Sequence, residues 1–391
     1  TASYGRGLAS NGKINYNLAL FIISLIIALY VVYGGLIAVI YTDAFQGLIM
    51  LFSMAFLLIA TYSALGGIPE AHIKLTAFND VAVKLFHESG KIVGHIGWTS
   101  SPAFGTPAWL IVVTTLILGV GIGVLAQPQL AVRLMTVKDD RDLDRAVPIG
   151  SFFVFMMTGT AFIVGALSNA YFLEKYGKPS IAMAGGNVDK IIPVFINEIM
   201  PEWFVAIFMV TLLAAAMSTL SSQFHTISSA LGRDILQAGI LKGKRAEKTI
   251  LITRIAISFG ILFSIVLAYR LPPSVIARGT AIFFALCASS FLPAYLGGLY
   301  WKRATSAGAK ASVVFGFTGS LLYLTFIKVK EAKELGICKA IFGVDSLAQY
   351  PFTHIDPLVI ILPISTLIFI TVSLITSKKE AIQVRTESKT F

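Results

Sequence analysis

The chain has 391 residues, of which 56% are hydrophobic and only 13% are charged, and its formal net charge is +11. A soluble globule of this length needs more polar surface than these residues supply, so the composition excludes most soluble enzymes and soluble binding proteins. The main solvent of the chain is therefore expected to be the lipid bilayer.

Nine apolar segments follow one another along the chain, each close to the roughly 20 residues that a helix needs to cross about 30 Å of hydrocarbon. They are apolar all round, whereas strands of a transmembrane barrel alternate apolar and polar residues. The predicted fold class is all-α, a polytopic membrane protein with about nine transmembrane helices. The predicted spans are Leu18–Ile40, Ala44–Leu65, Trp109–Ala126, Pro148–Phe172, Trp203–Ser229, Ile250–Ala268, Pro273–Trp301, Ala307–Ile327 and Leu358–Ile375.

Lys and Arg are distributed unevenly between the loops. Short loops at 133–145, 233–248 and 302–310 are rich in basic residues, whereas the opposite set of loops is longer and poorer in them. The positive-inside rule places the basic set and the tail 378–391 in the cytoplasm, and it places the loop 67–106 outside the cell membrane. This pattern accounts for the positive net charge without a nucleic-acid partner.

The chain is predicted to form one transmembrane domain over 1–391, with an interfacial helix at Ala71–Glu88 in the extracellular loop. Its first 15 residues are polar and do not begin with Met, so we expect a chain that is truncated at the N-terminus.

The fifth span carries a cluster of hydroxyl groups. At 100° per residue, Ala215, Thr219, Ser221 and Ser222 fall within about 100° of Ser218, on one side of the helix. Hydroxyl and carbonyl oxygens can replace the water shell of a hard monovalent cation, which fits a sodium site. The alternative is that these hydroxyls bond back to the preceding turn and serve as small packing residues.

Asp43 lies between the first two predicted spans. An ionisable group at membrane depth is by default a functional hypothesis, because an unpaired charge there is costly. The alternative is that Thr42 or Asp43 caps the second helix at the membrane surface. The residues alone leave both interpretations open.

The third span is interrupted by Gly119, Gly121 and Gly123 and then by Gln127-Pro128. Glycine and proline weaken a helix, and unwound backbone at membrane depth is tolerated where it lines a cavity or is buried in protein. The pattern fits either a cavity wall or glycines used for close packing.

Four stretches together resemble the sodium/solute symporter family, which includes proline, pantothenate, monocarboxylate, sialic acid and sugar carriers. They occur in the family's order and cover most of the chain. The stretches are Tyr33-Gly34-Gly35 leading to Thr42-Asp43-Ala44-Phe45-Gln46, then Gly119–Arg133, Ala214–Asp234 and Leu292–Thr305.

The resemblance implies a five-plus-five inverted-repeat core from which about four N-terminal helices are missing. It also implies Na+ as the coupling ion. One sodium would bind the carbonyl of Ala215 and the hydroxyls of Ser218 and Thr219, with further ligands on an absent helix. Some members bind a second sodium at positions that correspond here to Asp43, Ser218, Ser221 and Ser222.

The same resemblance places the broken third span beside the solute, with Val120, Gly123, Val124 and Gln127 facing the cavity. Proline carriers tend to have aromatic residues at the positions of Val120 and Val124. The valines therefore disfavour proline and sugars stacked on aromatic rings, and they favour a small carboxylate-bearing solute such as a monocarboxylate or pantothenate.

The sequence thus predicts a secondary active transporter that couples inward sodium flow to solute uptake by alternating access. Its partners are the solute, sodium ions and the bilayer, without an obligate protein partner. A symporter-like membrane sensor and a proton-coupled carrier are the alternatives. A channel and a membrane enzyme are disfavoured, because the spans carry neither a ring of charges nor a His/Asp/Glu cluster.

Overall fold

The computed structural model describes residues 12–88, 93–240, 249–270 and 275–387, and these residues form helices without strands. The predicted all-α class is therefore confirmed. The α-helices are α1 (Gly12–Ala64), α2 (Ile68–Ala77), α3 (Asn79–Glu88), α4 (Pro107–Leu110), α5 (Gly121–Gly123), α6 (Pro128–Leu134), α7 (Asp140–Tyr176), α8 (Ser180–Met183), α9 (Ile191–Ile199), α10 (Glu202–Ser228), α11 (Thr249–Arg270), α12 (Val275–Tyr300), α13 (Ser306–Phe326), α14 (Val329–Leu335), α15 (Ile337–Phe342) and α16 (Pro357–Glu387).

Four shorter or wider helical segments join these α-helices. Two are π-helical and two are 3-10 turns, and each continues or precedes an α-helix. They are Ile111–Val120, Val124–Ala126, Val188–Lys190 and Ser229–Ile240.

Seven helical segments among the described residues are long and apolar enough to cross a membrane, against nine predicted spans. The expected spans Leu18–Ile40 and Ile250–Ala268 lie in α1 and α11 but are not among the seven. The seven segments are Val39–Ala64, Pro107–Ala126, Asp140–Tyr176, Glu202–Leu236, Ile282–Tyr300, Ser306–Phe326 and Pro357–Ser377.

The predicted break between the first two spans is wrong, because α1 continues through Tyr41, Thr42 and Asp43. None of these residues is a helix breaker, and the hydroxyl of Thr42 donates to the carbonyl of Val39 at 2.9 Å within the same helix. Neither Thr42 nor Asp43 is therefore a helix cap.

The predicted interfacial helix is two helices, α2 and α3, separated at Phe78. Asn79 is a weak helix former, and its side-chain oxygen accepts a hydrogen bond at 3.0 Å from the backbone N–H of Trp98. This link to the following loop fixes the start of α3, where an uninterrupted helix was expected.

The chain divides into two compact units, Thr1–Ile68 with Val137–Pro273, and Pro69–Thr136 with Ser274–Phe391. In the first unit α1 packs against α7, α10 and α11. A buried aromatic and aliphatic cluster joins α1, α7 and α10 to α9. Ser53 of α1 also bonds Thr211 of α10 through their hydroxyls at 2.7 Å. The cluster comprises Leu57, Val164, Phe172, Phe195, Ile196, Met200, Phe204 and Phe208.

In the second unit α12, α13 and α16 pack against one another, and the π-helix Ile111–Val120 packs against α12 and α16. The close approach depends on glycine. A Cβ atom on Gly316 of α13 would lie 2.0 Å from the carbonyl oxygen of Ser289 in α12. The backbones of these two helices therefore touch where a side chain would not fit.

Candidate functional site

The predicted sodium ligands come together on α10 in the first unit. The carbonyl of Ala215 accepts hydrogen bonds from the hydroxyls of Ser218 at 3.4 Å and Thr219 at 3.0 Å. The three expected ligand groups therefore lie around one point, as the helical spacing predicted.

A second group of oxygens lies one turn further along α10. The hydroxyls of Ser221 and Ser222 donate to the carbonyl of Ser218 at 2.9 Å and 2.8 Å. The hydroxyl of Ser222 also lies 3.4 Å from Oδ2 of Asp43 in α1. The structure thus brings the carboxylate to the serines that the second predicted sodium site requires.

These contacts fit both interpretations of the hydroxyl cluster. Each hydroxyl bonds back to a carbonyl three or four residues earlier, which is ordinary for Ser and Thr in a membrane helix. A hydroxyl that donates to a carbonyl keeps two lone pairs for a cation, and rotation of its hydrogen would free the carbonyl oxygen as well, without moving the helix. The neighbouring carboxylate adds the charge that a hard cation favours.

The predicted interruption of the third span is confirmed at Gln127-Pro128, whereas Gly119, Gly121 and Gly123 keep helical backbone and do not break the span. The π-helix Ile111–Val120 gives way to α5, then to a 3-10 turn at Val124–Ala126, and Gln127 is extended at φ −72°, ψ 125°. Pro128 then begins α6, since its fixed φ suits the first helical position and it has no N–H to leave unpaired.

The four predicted cavity residues lie around this interruption in the second unit, but they differ in burial. Val120 and Val124 are half-buried, whereas Gly123 is buried against α12. A Cβ atom on Gly123 would lie 2.6 Å from Cβ of Phe284 and 2.9 Å from its carbonyl oxygen. Close packing therefore accounts for this glycine, and its place in a solute cavity stays a prediction.

Gln127 is the polar member of the set and is only 5% exposed. Its side-chain oxygen accepts from the amide of Gln129 at 2.6 Å. Its side-chain nitrogen is buried and has no hydrogen-bond partner among the described residues. A buried donor in this position suits an acceptor group on a ligand, because an unmade hydrogen bond is costly.

Sequence reasoning missed a charged cluster beside the broken span. Asp356 precedes α16, is 1% exposed and accepts a hydrogen bond from Nζ of Lys328 at 3.1 Å. Its backbone N–H donates to the hydroxyl of Thr114 in the π-helix at 3.0 Å. The available signal was Asp356-Pro357 directly before an apolar run, which is a helix-start pattern.

Comparison with known proteins gives the family. The family model for the sodium:solute symporter family matches residues 8–316. The chain belongs to the sodium:solute symporter family. The resemblance in the four sequence stretches is thereby confirmed.

Curated relatives in this family are transporters. The chain is 28% identical over 317 residues to the sodium/pantothenate symporter of Haemophilus influenzae, covering 81% of this chain and 60% of the relative. It is 25% identical over 346 residues to the osmoregulated proline transporter OpuE of Bacillus subtilis, covering 86% and 64% respectively. The chain thus spans about three fifths of the length of these relatives.

A solved structure shares the fold. It is a substrate-bound, outward-open state of a Na+-coupled sialic acid symporter, with a TM-score of 0.62 and 20% sequence identity. The match covers 92% of this chain and 66% of that one. This likeness supports the symporter fold across nearly the whole chain.

Proposed function

We propose that this chain is the larger part of a secondary active transporter that couples inward sodium flow to the uptake of a small organic solute. One observation carries the proposal: Oδ2 of Asp43 in α1 lies 3.4 Å from the hydroxyl oxygen of Ser222 in α10, the helix that holds the cluster of hydroxyl groups. Membership of the sodium:solute symporter family supports sodium as the ion.

Two sodium positions follow from the oxygens of α10. The first would use the carbonyl of Ala215 with the hydroxyls of Ser218 and Thr219. The second would use Asp43 with Ser218, Ser221 and Ser222, a set that combines neutral oxygens with one carboxylate and so balances the charge of the ion.

The solute is proposed to bind beside the broken helix and to carry a carboxylate. Pantothenate, proline and sialic acid, which name transporters that are similar to this chain, all contain that group. The buried amide nitrogen of Gln127 is a suitable donor to it. Val120 and Val124 supply apolar walls, which favour an aliphatic solute over one stacked on aromatic rings.

Transport would proceed by alternating access. Sodium bound on α10 stabilises an outward-facing form, solute binds, and both are released inside. The protein would lie in the cytoplasmic membrane with its C-terminus inside, as the distribution of Lys and Arg indicates.

Radiolabelled uptake into proteoliposomes tests this proposal, with the full-length gene product and a panel of pantothenate, proline, sialic acid and short monocarboxylates. We expect uptake that requires an inward sodium gradient and falls at least about 100-fold in Ser218→Ala/Thr219→Ala, equivalent to about 2.7 kcal/mol. Uptake driven equally well by a proton gradient without sodium would instead support the proton-coupled carrier, and binding without uptake would support the sensor.

A matched control is Ser258→Ala/Ser264→Ala in α11 of the same unit. Both of these hydroxyls also bond back to carbonyls four residues earlier, at 3.0 Å and 2.8 Å. If the two double variants lose uptake equally, the effect of Ser218 and Thr219 comes from helix packing and the sodium assignment is wrong.

A further inference from the structure

The charged cluster at the start of α16 has contacts that a helix cap does not need. Oδ1 of Asp356 accepts from the backbone N–H of Leu358 at 3.1 Å, which is the capping bond. Asn would make that bond equally well. The negative charge of a side chain that is 1% exposed therefore requires another explanation.

Lys328 supplies part of the explanation. Its ammonium lies 3.1 Å from Oδ2 of Asp356 and 3.8 Å from Glu331, and all three residues are at most 9% exposed. Lys328 lies two residues after the end of α13, so this buried ion pair ties the start of the segment 328–356 to its end. Loss of the Asp356 charge would leave the ammonium of Lys328 with the more distant carboxylate of Glu331, at 3.8 Å, and removing one partner of a buried ion pair is destabilising.

The same aspartate is also tied to the broken span. Its backbone N–H donates to Oγ1 of Thr114, and that hydroxyl donates in turn to the carbonyl of Leu110 at 2.6 Å. A Cβ atom on Gly119 would lie 3.7 Å from the carboxyl carbon of Asp356. The π-helix therefore passes directly beside the carboxylate, one residue before Val120.

Apolar packing joins the same two elements just beyond this point. Leu358, two residues after Asp356, is buried with Ala285 and Ala288 of α12, and Leu118 and Ile122 pack against this cluster. The position of Asp356 along its helix and the position of the broken span are thus fixed together by a hydrogen bond and by packing.

We infer that Asp356 is a positioning residue for solute binding, which acts through Thr114 on the segment that carries Val120 and Gln127 and is held in place by Lys328. This inference rests on the proposed role of that segment in the solute cavity. Loss of the link lets the segment shift against α16, so solute affinity falls while the sodium ligands on α10 are untouched.

Thr114→Val and Thr114→Ser, made in the full-length protein, test the inference. Val matches Thr in shape but leaves the buried N–H of Asp356 without an acceptor, whereas Ser keeps the oxygen. With radiolabelled pantothenate, proline and sialic acid, we expect Thr114→Val to raise the KM of the transported solute about tenfold, or about 1.4 kcal/mol. Thr114→Ser is expected to restore the wild-type KM.

Two further readouts separate positioning from a general loss of structure. Vmax per molecule in the membrane and the sodium concentration for half-maximal uptake are expected to stay within about twofold of wild type, since α10 is unchanged. Asp356→Asn, which keeps the capping bond but not the charge, is measured in parallel and is expected to raise KM similarly. If Thr114→Val does not accumulate in the membrane, the KM of Asp356→Asn tests the inference in its place.

An unchanged KM in whichever of these variants accumulates overturns the inference. The comparison needs solute uptake but no particular driving ion. Uptake without sodium dependence, combined with a KM shift, therefore contradicts the proposed coupling and leaves the positioning role standing. Sodium-dependent uptake with an unchanged KM contradicts the positioning role alone.

Discussion

Each unit has an aspartate that contacts a hydroxyl of a membrane-spanning helix, Asp43 through its carboxylate and Asp356 through its backbone N–H, but the surroundings of the two carboxylates differ. Asp43 in the first unit meets Ser222 on a helix whose hydroxyls and carbonyls cluster over two turns. Asp356 in the second unit meets the ammonium of Lys328, which already balances its charge. The difference teaches that the neighbours of an acid decide whether its charge is paired with an ammonium, as in Asp356, or lies beside hydroxyl oxygens, as the proposed sodium site at Asp43 requires.

The two units also differ in how their helices are held together. In the first, aromatic side chains and the Ser53–Thr211 bond separate the helices by whole side chains. In the second, Gly316 brings α13 against the backbone of α12. Two helices in backbone contact tolerate little movement relative to each other. This rigidity suits α12 and α13 as helices that hold the broken span in place.

The largest expected effect is Gly316→Ala in the second unit. The new Cβ would lie 2.0 Å from the carbonyl oxygen of Ser289, so backbone must move, and the cost is at least the upper end of the about 1–3 kcal/mol typical of overpacking. We expect little monodisperse protein in detergent. Gly319→Ala is the matched control, because its Cβ would meet side-chain atoms of Ile361 at 3.4 Å and of Phe315 at 3.7 Å and no backbone atom of another helix within 3.4 Å. Equal yields of the two variants would contradict this packing.

Asp43→Asn is expected to have the next largest effect. The amide keeps the shape of the side chain but removes the charge that balances a second sodium, so we expect sodium-dependent uptake to fall about 100-fold and to depend less steeply on sodium concentration. Initial rates across a sodium series measure both. The exposed Asp144→Asn serves as the control. An unchanged sodium dependence in Asp43→Asn would mean that Asp43 does not bind a second sodium, and that the proposed difference in role between Asp43 and Asp356 is wrong.

Part of this contrast was predictable from sequence. The clustering of Ala215, Ser218 and Thr219 follows from helical periodicity, and the break at Gln127-Pro128 follows from backbone chemistry. The approach of Asp43 to Ser222 joins residues 179 positions apart, so only the family resemblance suggested it. Local pattern carries no information on such a pairing.

The continuity of α1 and the partners of Asp356 could not be predicted from the sequence, for physical reasons. The polar residues Thr42 and Asp43 indicated a loop, but both are accommodated inside α1 by contacts with a neighbouring turn and a neighbouring helix. The partners of Asp356 lie 28 and 242 positions away, at Lys328 and Thr114. The sequence marks Asp356 as a helix start and gives no sign of the ion pair.

A moderate effect is expected where the first unit joins α1 to α10. A double-mutant cycle with Ser53→Ala and Thr211→Val is expected to give a coupling energy of about 0.6 kcal/mol, the usual size for a hydrogen bond between membrane helices. Unfolding in detergent measures it. The hydroxyl of Thr211 also donates to the carbonyl of Ile207 at 3.0 Å. The single variant Thr211→Val is therefore expected to lose more stability than the coupling energy with Ser53. A coupling energy of zero would mean that packing alone holds this helix pair.

The smallest expected effect concerns Glu198, which lies in the first unit outside the membrane-crossing segments and has exposed partners. Hydrogen bonds from Lys175 and Tyr176, each at 2.6 Å, lower the pKa of Glu198 below its ordinary value. A carboxylate with a lowered folded-state pKa contributes stability above its unfolded pKa of about 4.3 and loses it as the pH falls through the folded value.

We therefore expect Glu198→Gln to lower the thermal unfolding midpoint at pH 7 by no more than about 2 °C, because solvent screens exposed ion pairs. The difference from wild type is expected to shrink as the pH falls below the unfolded value of about 4.3 and to vanish once the pH is below the lowered folded-state pKa of Glu198. Tyr176→Phe removes only the phenol donor. Its unfolding midpoint at pH 7 is expected to lie between those of wild type and Glu198→Gln. A difference that persists unchanged at low pH would mean that Glu198 stabilises α9 by its shape and not by its charge.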